Sequence, residues 1–196
     1  MIKVKSILRT FSVCVAIAFI CLFGYIMLQN LCAEIFIRIG WETRNTIDLF
    51  AKHDFWYVFF VSGVLPPILE EVVFRLVLCL GLKTLCKPLN WPDWVYVLVS
   101  AVAFTAWHLS WSQLVYQFIM GIFFAWIFLK TRQLWWTMLI HFINNAFIIT
   151  YTYFVKPGNN VFDLNVGNVI LALGLAAVTT AATVMLIKKG IPYAQR

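Results

Sequence analysis

The chain has 196 residues, of which 63% are hydrophobic and only 12% charged, with a formal net charge of +7 and a mean hydropathy of +0.88. A soluble domain carries about 25% charged residues, so this composition excludes a chain whose whole surface meets water, and lipid must serve as its solvent. The Lys and Arg residues stand in short segments between apolar runs, which is the orientation pattern of a membrane protein and not a nucleic-acid-binding surface.

The first apolar run covers residues 7–31, behind Lys3, Lys5 and Arg9. It is longer than a signal-peptide core and no A-x-A-like site follows it, so it reads as a retained first helix. Residues 32–54 mix Glu34, Arg38, Glu42, Arg44, Asp48 and Lys52 with apolar residues and predict an amphipathic helix and loop at the membrane face. The next run, 55–82, is interrupted by Pro66-Pro67. Proline lacks an N–H and crowds the preceding turn, so a broken element is expected: residues 55–64, then a new helix over 67–85 that begins with proline.

A loop follows at 87–93, with Pro88 and Pro92, then a third span over 94–109 and a tight turn at Ser110-Trp111-Ser112. The fourth span is 113–129, the loop 130–133, the fifth span 134–154, the polar loop 156–160 and the last span 166–187. The expected fold is therefore all-α. It is a polytopic membrane protein of about six transmembrane helices, one broken at Pro66-Pro67, enclosing an intramembrane polar cavity. It forms a single membrane domain over residues 1–196.

Six spans put both termini on one side. Lys3, Lys5, Arg9, Lys83, Lys87, Lys130, Arg132, Lys188, Lys189 and Arg196 fall there, against Arg38, Arg44, Lys52 and Lys156 on the other. That asymmetry predicts cytoplasmic termini. The five cysteines form no CxxC pair and read as small buried apolar side chains.

Six residues lie where only apolar ones are cheap: Glu70, Glu71, Arg75, His108, His141 and Asn145. A charge at a helix centre costs at least ~2.5–3.5 kcal/mol, and such residues are functional candidates by default. Glu71 and Arg75 are spaced i,i+4 and can pair. Glu70 is rotated about 100° from Glu71 and faces elsewhere, free for chemistry. His141 and Asn145 are also i,i+4 and share a face. At ~1.5 Å per residue, Glu70, His108 and Asn145 all lie ~20 Å from the expected cytoplasmic end, with His141 one turn nearer to it.

Acid, imidazole and amide at one level suit hydrolysis. A carboxylate buried among apolar groups can take a proton from water. An imidazole can orient that water, and a second imidazole and an amide can donate to a developing oxyanion. No serine, threonine or cysteine accompanies these positions as an evident nucleophile, so water is the expected attacker. Simpler readings exist for each group. Glu71 and Arg75 could be a structural pair, His108 an interfacial residue beside Trp107 and Trp111, and His141 with Asn145 a helix–helix hydrogen-bond pair. Asn144, Phe74 and Phe104 read as structural.

Glu70-Glu71-Val72-Val73-Phe74-Arg75 matches EExxxR, Phe104 to His108 matches FxxxH, and His141 to Asn145 matches HxxxN. In this order and on separate helices, the three motifs resemble the CPBP family of intramembrane endopeptidases, which includes the CAAX prenyl proteases and the Abi and bacteriocin-processing proteins. The resemblance covers residues 66–147, the expected catalytic core. It implies a conical cavity open to the cytoplasm, Glu70 as general base, His108 as its partner on the water, His141 and Asn145 as oxyanion donors, and Glu71 and Arg75 in support. It also implies a metal-free glutamate mechanism with no cofactor, although two histidines and a carboxylate could also bind zinc. Leu76 stands where the family often has glycine.

The expected substrate is a peptide or a lipid-modified, membrane-tethered protein. Membrane lipids are the other expected partner, and nucleic acid is not. The expected location is a bacterial inner membrane. A non-catalytic immunity or scaffold protein of the same fold, and a proton-coupled transporter using Glu70, are the alternative functions.

Overall fold

The computed structural model describes residues 2–41, 52–155 and 163–193, and among these every regular element is helical. Helix α1 (Ile2–Gly24) bends at Tyr25 into α2 (Ile26–Arg38). The expected single helix over 7–31 is thus two, although Tyr25 N–H still bonds Cys21 O at 3.1 Å and Gln29 N–H bonds Tyr25 O at 2.9 Å across the bend. The bend follows directly on Gly24, where a Cβ would stand 1.9 Å from Thr179 Oγ1. Only glycine lets the last helix approach this closely. Of the amphipathic segment, Glu34 and Arg38 lie on α2 and pair at 2.8 Å. Glu42, Arg44 and Asp48 lie outside the described residues, as does the polar loop 156–160.

The third helical run, α3, comprises Phe55–Val58, a π-helical stretch Phe59–Val64, Leu65–Glu71, a second π-helical stretch Val72–Leu80, and Gly81–Leu85. Asp54 caps its start by accepting the Tyr57 N–H at 3.0 Å. The interruption expected at Pro66-Pro67 takes the form of a widened turn, not a loop. The backbone stays helical, and the wider π turn just before the prolines accommodates the missing donors and the crowding rings.

A 3₁₀ turn at Lys87–Leu89 ends in Asn90 with φ 51°, and leads to α4 (Asp93–Trp107), α5 (Leu114–Thr131), α6 (Leu134–Val155) and α7 (Val166–Gly190). Among the described residues, four stretches are each long and apolar enough to cross a membrane: Val4–Gly24 within α1, and α5, α6 and α7. The shorter apolar α4 and the composite α3 make up the expected six passes. The protein is an all-α polytopic membrane protein.

Helix α5 is the central strut. Its apolar window is 61% buried, against 22–33% for the other three long spans, so α5 packs against protein while the others face lipid on one side. Ile127, Phe124 and Met120 of α5 join Ile17, Trp136 and Ile140 in the core. Gly121 allows α4 to come close, since a Cβ there would lie 3.0 Å from Ala101 Cα. The Gly121/Ala125 small-residue spacing on α5 suits this contact.

Helix α7 is patterned the opposite way to a soluble helix. Val166, Ile170, Leu173 and Val178 are exposed while Thr179 and Thr183 are buried. Thr180 hydrogen-bonds Tyr25 at 2.7 Å, and Thr183 contacts the Cys21 thiol at 3.5 Å. Apolar side chains cost nothing against lipid tails, so polar ones form the glue between helices.

Lys130 departs from its expected place in a loop. It lies in the last turn of α5, is buried, and donates to the carbonyls of Ile187 at 2.5 Å and Lys188 at 3.0 Å. Its ammonium thereby caps the C-terminal end of α7, where carbonyls lack intrahelical partners.

Candidate active site

Three helices supply the polar groups, and aromatic rings hold them. Phe104 on α4 is fully buried. Its ring lies 4.7 Å from the His108 ring, 5.7 Å from the His141 ring and 4.7 Å from the Arg75 guanidinium carbon. Phe124 of α5 stacks on His141 at 5.3 Å. Both imidazoles are therefore fixed by packing before any polar contact is counted.

Arg75 and Glu71 are both completely buried, with Nε 3.0 Å from Oε2 and Nη2 3.4 Å from Oε1. Arg75 Nη1 donates to Ser100 Oγ at 2.7 Å, and that hydroxyl donates to Phe74 O at 2.8 Å. Such a pair is tolerable away from water only when its remaining donors and acceptors are also matched, and Ser100, the face of Phe104 and His141 do this. Glu71 Oε1 lies 3.2 Å from His141 Nδ1.

Glu70 faces the other way, as the 100° step on the helix requires. Its Oε2 lies 3.7 Å from His108 Nε2 and 3.8 Å from His141 Nε2. That oxygen is buried and has no hydrogen-bond partner among the described residues. Five of the six sequence-derived candidates, Glu70, Glu71, Arg75, His108 and His141, thus converge. The sixth, Asn145, lies one turn beyond His141 on α6, and its Nδ2 donates to the Ser62 backbone carbonyl of α3 at 3.2 Å. Its amide is engaged with the α3 backbone and not with the carboxylate–imidazole group.

Tautomers follow from these partners. His108 Nδ1 faces the Phe104 carbonyl at 2.8 Å, which only accepts, so Nδ1 carries the proton. His141 Nδ1 faces a carboxylate paired with Arg75 and must likewise donate. In their neutral forms both rings then present a bare Nε2 to Glu70 Oε2. Three acceptors meet at one point, and the cluster is at rest only with an added proton or with a donor such as water between them. A water there can give one hydrogen to the carboxylate and one to an imidazole, which is the arrangement general-base hydrolysis needs.

Sequence reading missed Ser100 and the Ser62 carbonyl. Ser100 was legible in principle, because it sits four and eight residues before Phe104 and His108 on α4 and so shares their face. The Ser62 carbonyl carries no side-chain signal. Among the described residues no group of three or more His, Cys, Asp and Glu side chains is arranged to hold a metal.

Residues 52–147, which contain every one of these side chains, match the family model described as type II CAAX prenyl endopeptidase Rce1-like. Over 139 residues the chain is 29% identical to the "Putative membrane peptidase YdiL" of Bacillus subtilis (strain 168). That alignment covers 69% of this chain and 53% of the relative, so the chain spans about half the relative's length. No solved structure matches the chain.

Proposed function

We propose, from the match of residues 52–147 to the type II CAAX prenyl endopeptidase Rce1-like model and the similarity to a membrane peptidase relative, that the chain is a CPBP-type intramembrane endopeptidase that uses a glutamate-activated water and no metal. The observation that carries this is Glu70 Oε2 standing 3.7 and 3.8 Å from two Nε2 atoms inside an apolar helix bundle. Charges and imidazoles are expensive there, which makes each one a functional candidate by default.

In this mechanism Glu70 takes a proton from water as the oxygen attacks the scissile carbonyl. His108, its Nδ1–H tied to Phe104 O, accepts the water's other hydrogen bond through Nε2. His141 enters as the imidazolium, because only then does Nε2 carry a hydrogen to give to the oxyanion. Glu71 supports that charge from the Nδ1 side, much as a buried carboxylate orients a catalytic histidine. Asn145 supplies a second donor. Glu70 then passes its proton to the leaving amine. One removed oxyanion donor costs about 10²–10³ in rate, which sets the scale for His141 and Asn145.

The substrate proposed is a peptide or a lipid-modified, membrane-tethered protein. The proposed setting is a bacterial inner membrane with both termini in the cytoplasm. Mass spectrometry of membrane-derived peptides tests the activity, comparing cells that carry the wild-type chain with cells that carry Glu70→Gln. A set of cleavage products present only with the wild-type chain is expected. Identical peptide profiles would overturn the peptidase reading in favour of a non-catalytic role.

A further inference from the structure

Ser62 precedes Pro66 by four residues and Pro67 by five. In an α-helix its carbonyl would accept the N–H of residue 66, and in a π-helical turn that of residue 67. Proline carries no N–H at either position. The donor three residues on, Leu65 N–H, is spent on the Phe60 carbonyl. The Ser62 carbonyl is thus barred from the hydrogen bonds its own helix would offer, in a segment that has lipid and not water beside it. What reaches it is Asn145 Nδ2, at 3.2 Å from the neighbouring helix.

We propose that Pro66-Pro67 is a positioning device for the Asn145 amide, created by stripping the Ser62 carbonyl of its helical donors. This rests on the reading of Asn145 as an oxyanion donor. A carboxamide has two faces of opposite sign, N–H₂ and C=O, and a half-turn of its terminal torsion exchanges them. Turned the wrong way, Asn145 would present an oxygen to a developing oxyanion and repel it.

An acceptor fixed in the backbone forbids that half-turn, because Oδ1 against Ser62 O would place two acceptors together. With one N–H bound, the planar amide holds the second N–H in a set direction. The anchor also ties α6 to the stretch of α3 that carries Glu70, three residues past Pro67, so donor and base are registered to one another. Pro66, Pro67 and the Ser62 carbonyl are positioning groups and touch no reacting atom.

The test uses the full chain in lipid nanodiscs with ¹⁵N in the asparagine side-chain amides. The Asn145 signal is assigned by its loss in Asn145→Asp. In the wild-type chain its amide order parameter is expected at the rigid value of about 0.85, and in Pro66→Ala, whose new N–H reaches Ser62 O, below about 0.6. Pro67→Ala restores a donor at the π spacing and serves as the second variant should Pro66→Ala misfold. An amide equally rigid in both proline variants overturns the proposal.

Cleavage of a fluorogenic peptide ending in a farnesylated CAAX sequence is followed in the same nanodiscs. Asn145→Ala is expected to lower kcat by about 10²-fold and Pro66→Ala by about tenfold, with KM within twofold. Pro66→Ala is expected to add nothing in the Asn145→Ala background. If Asn145→Ala slows cleavage while Pro66→Ala leaves both rate and rigidity intact, the positioning device is refuted and the oxyanion reading stands. If the amide loosens while kcat is unchanged in every variant, the oxyanion role of Asn145 fails and the positioning proposal fails with it, although the anchor itself exists.

Discussion

Replacing Arg75 by methionine removes the guanidinium and leaves Glu71 as a fully buried carboxylate whose remaining polar contacts are His141 at 3.2 Å and the Thr137 side chain. Breaking a buried ion pair from one side costs about 3–5 kcal/mol, because the partner charge is left without compensation. For a chain of this size each kcal/mol lowers the midpoint by about 2–4 °C, so Arg75→Met is expected to melt ~6–20 °C lower. Glu71→Gln should cost a similar amount, because it leaves the Arg75 charge without its carboxylate counter-charge, among Ser100 and the Phe104 and Phe124 rings.

The double variant Glu71→Gln/Arg75→Met buries no charge. Ser100 keeps its bond to Phe74 O, and the glutamine carbonyl can still accept from His141, so stability should return to within about 1 kcal/mol of wild type. Thermal unfolding in detergent, read by tryptophan fluorescence, measures all four proteins. Single variants that lose less than about 1 kcal/mol, or a double variant as unstable as the sum of the singles, would refute the claim that the pair is held by mutual compensation. Cleavage separates stability from mechanism. The double variant should stay slow by about 10–100-fold, because a neutral glutamine cannot support an imidazolium at His141. A double variant that recovers both stability and rate would show that Glu71 only neutralises Arg75.

Chelator treatment should leave cleavage unchanged, since Glu70 itself takes the water proton; activity lost to EDTA and restored by zinc would contradict this. Gly121→Val should drive a side chain against Ala101 Cα, 3.0 Å from the ideal Cβ, where backbone cannot yield. The expected loss is about 1–3 kcal/mol with slower cleavage, because α4 carries His108; an unchanged melt and rate would mean that α4 and α5 can separate without consequence. A C-terminal green fluorescent protein fusion should fluoresce in bacterial cells while the equivalent alkaline phosphatase fusion stays inactive, as cytoplasmic termini require; the reverse pattern would invert the topology.

The sequence by itself determined the solvent, the helical class and the pairing of Glu71 with Arg75. Composition, apolar run length and i,i+4 spacing are properties of the chain taken locally, and lipid enforces them strictly because unpaired polar groups have no water to fall back on. It also put Glu70, His108 and Asn145 at one expected depth, with His141 one turn nearer the cytoplasmic end, because rise per residue is fixed in any helix. What local spacing could not fix was which atoms face each other across helices. Only the packing of α3 against α4 and α6 put Glu70 between two Nε2 atoms, gave His141 Nδ1 to Glu71, and chose Ser100 as the anchor of Arg75. Only the tertiary structure turned Asn145 towards the Ser62 carbonyl, kept α3 helical through two prolines, and drew Lys130 out of its expected loop to cap α7. Each of these depends on the rotation and approach of one helix against another, and side-chain packing between separate segments sets those quantities.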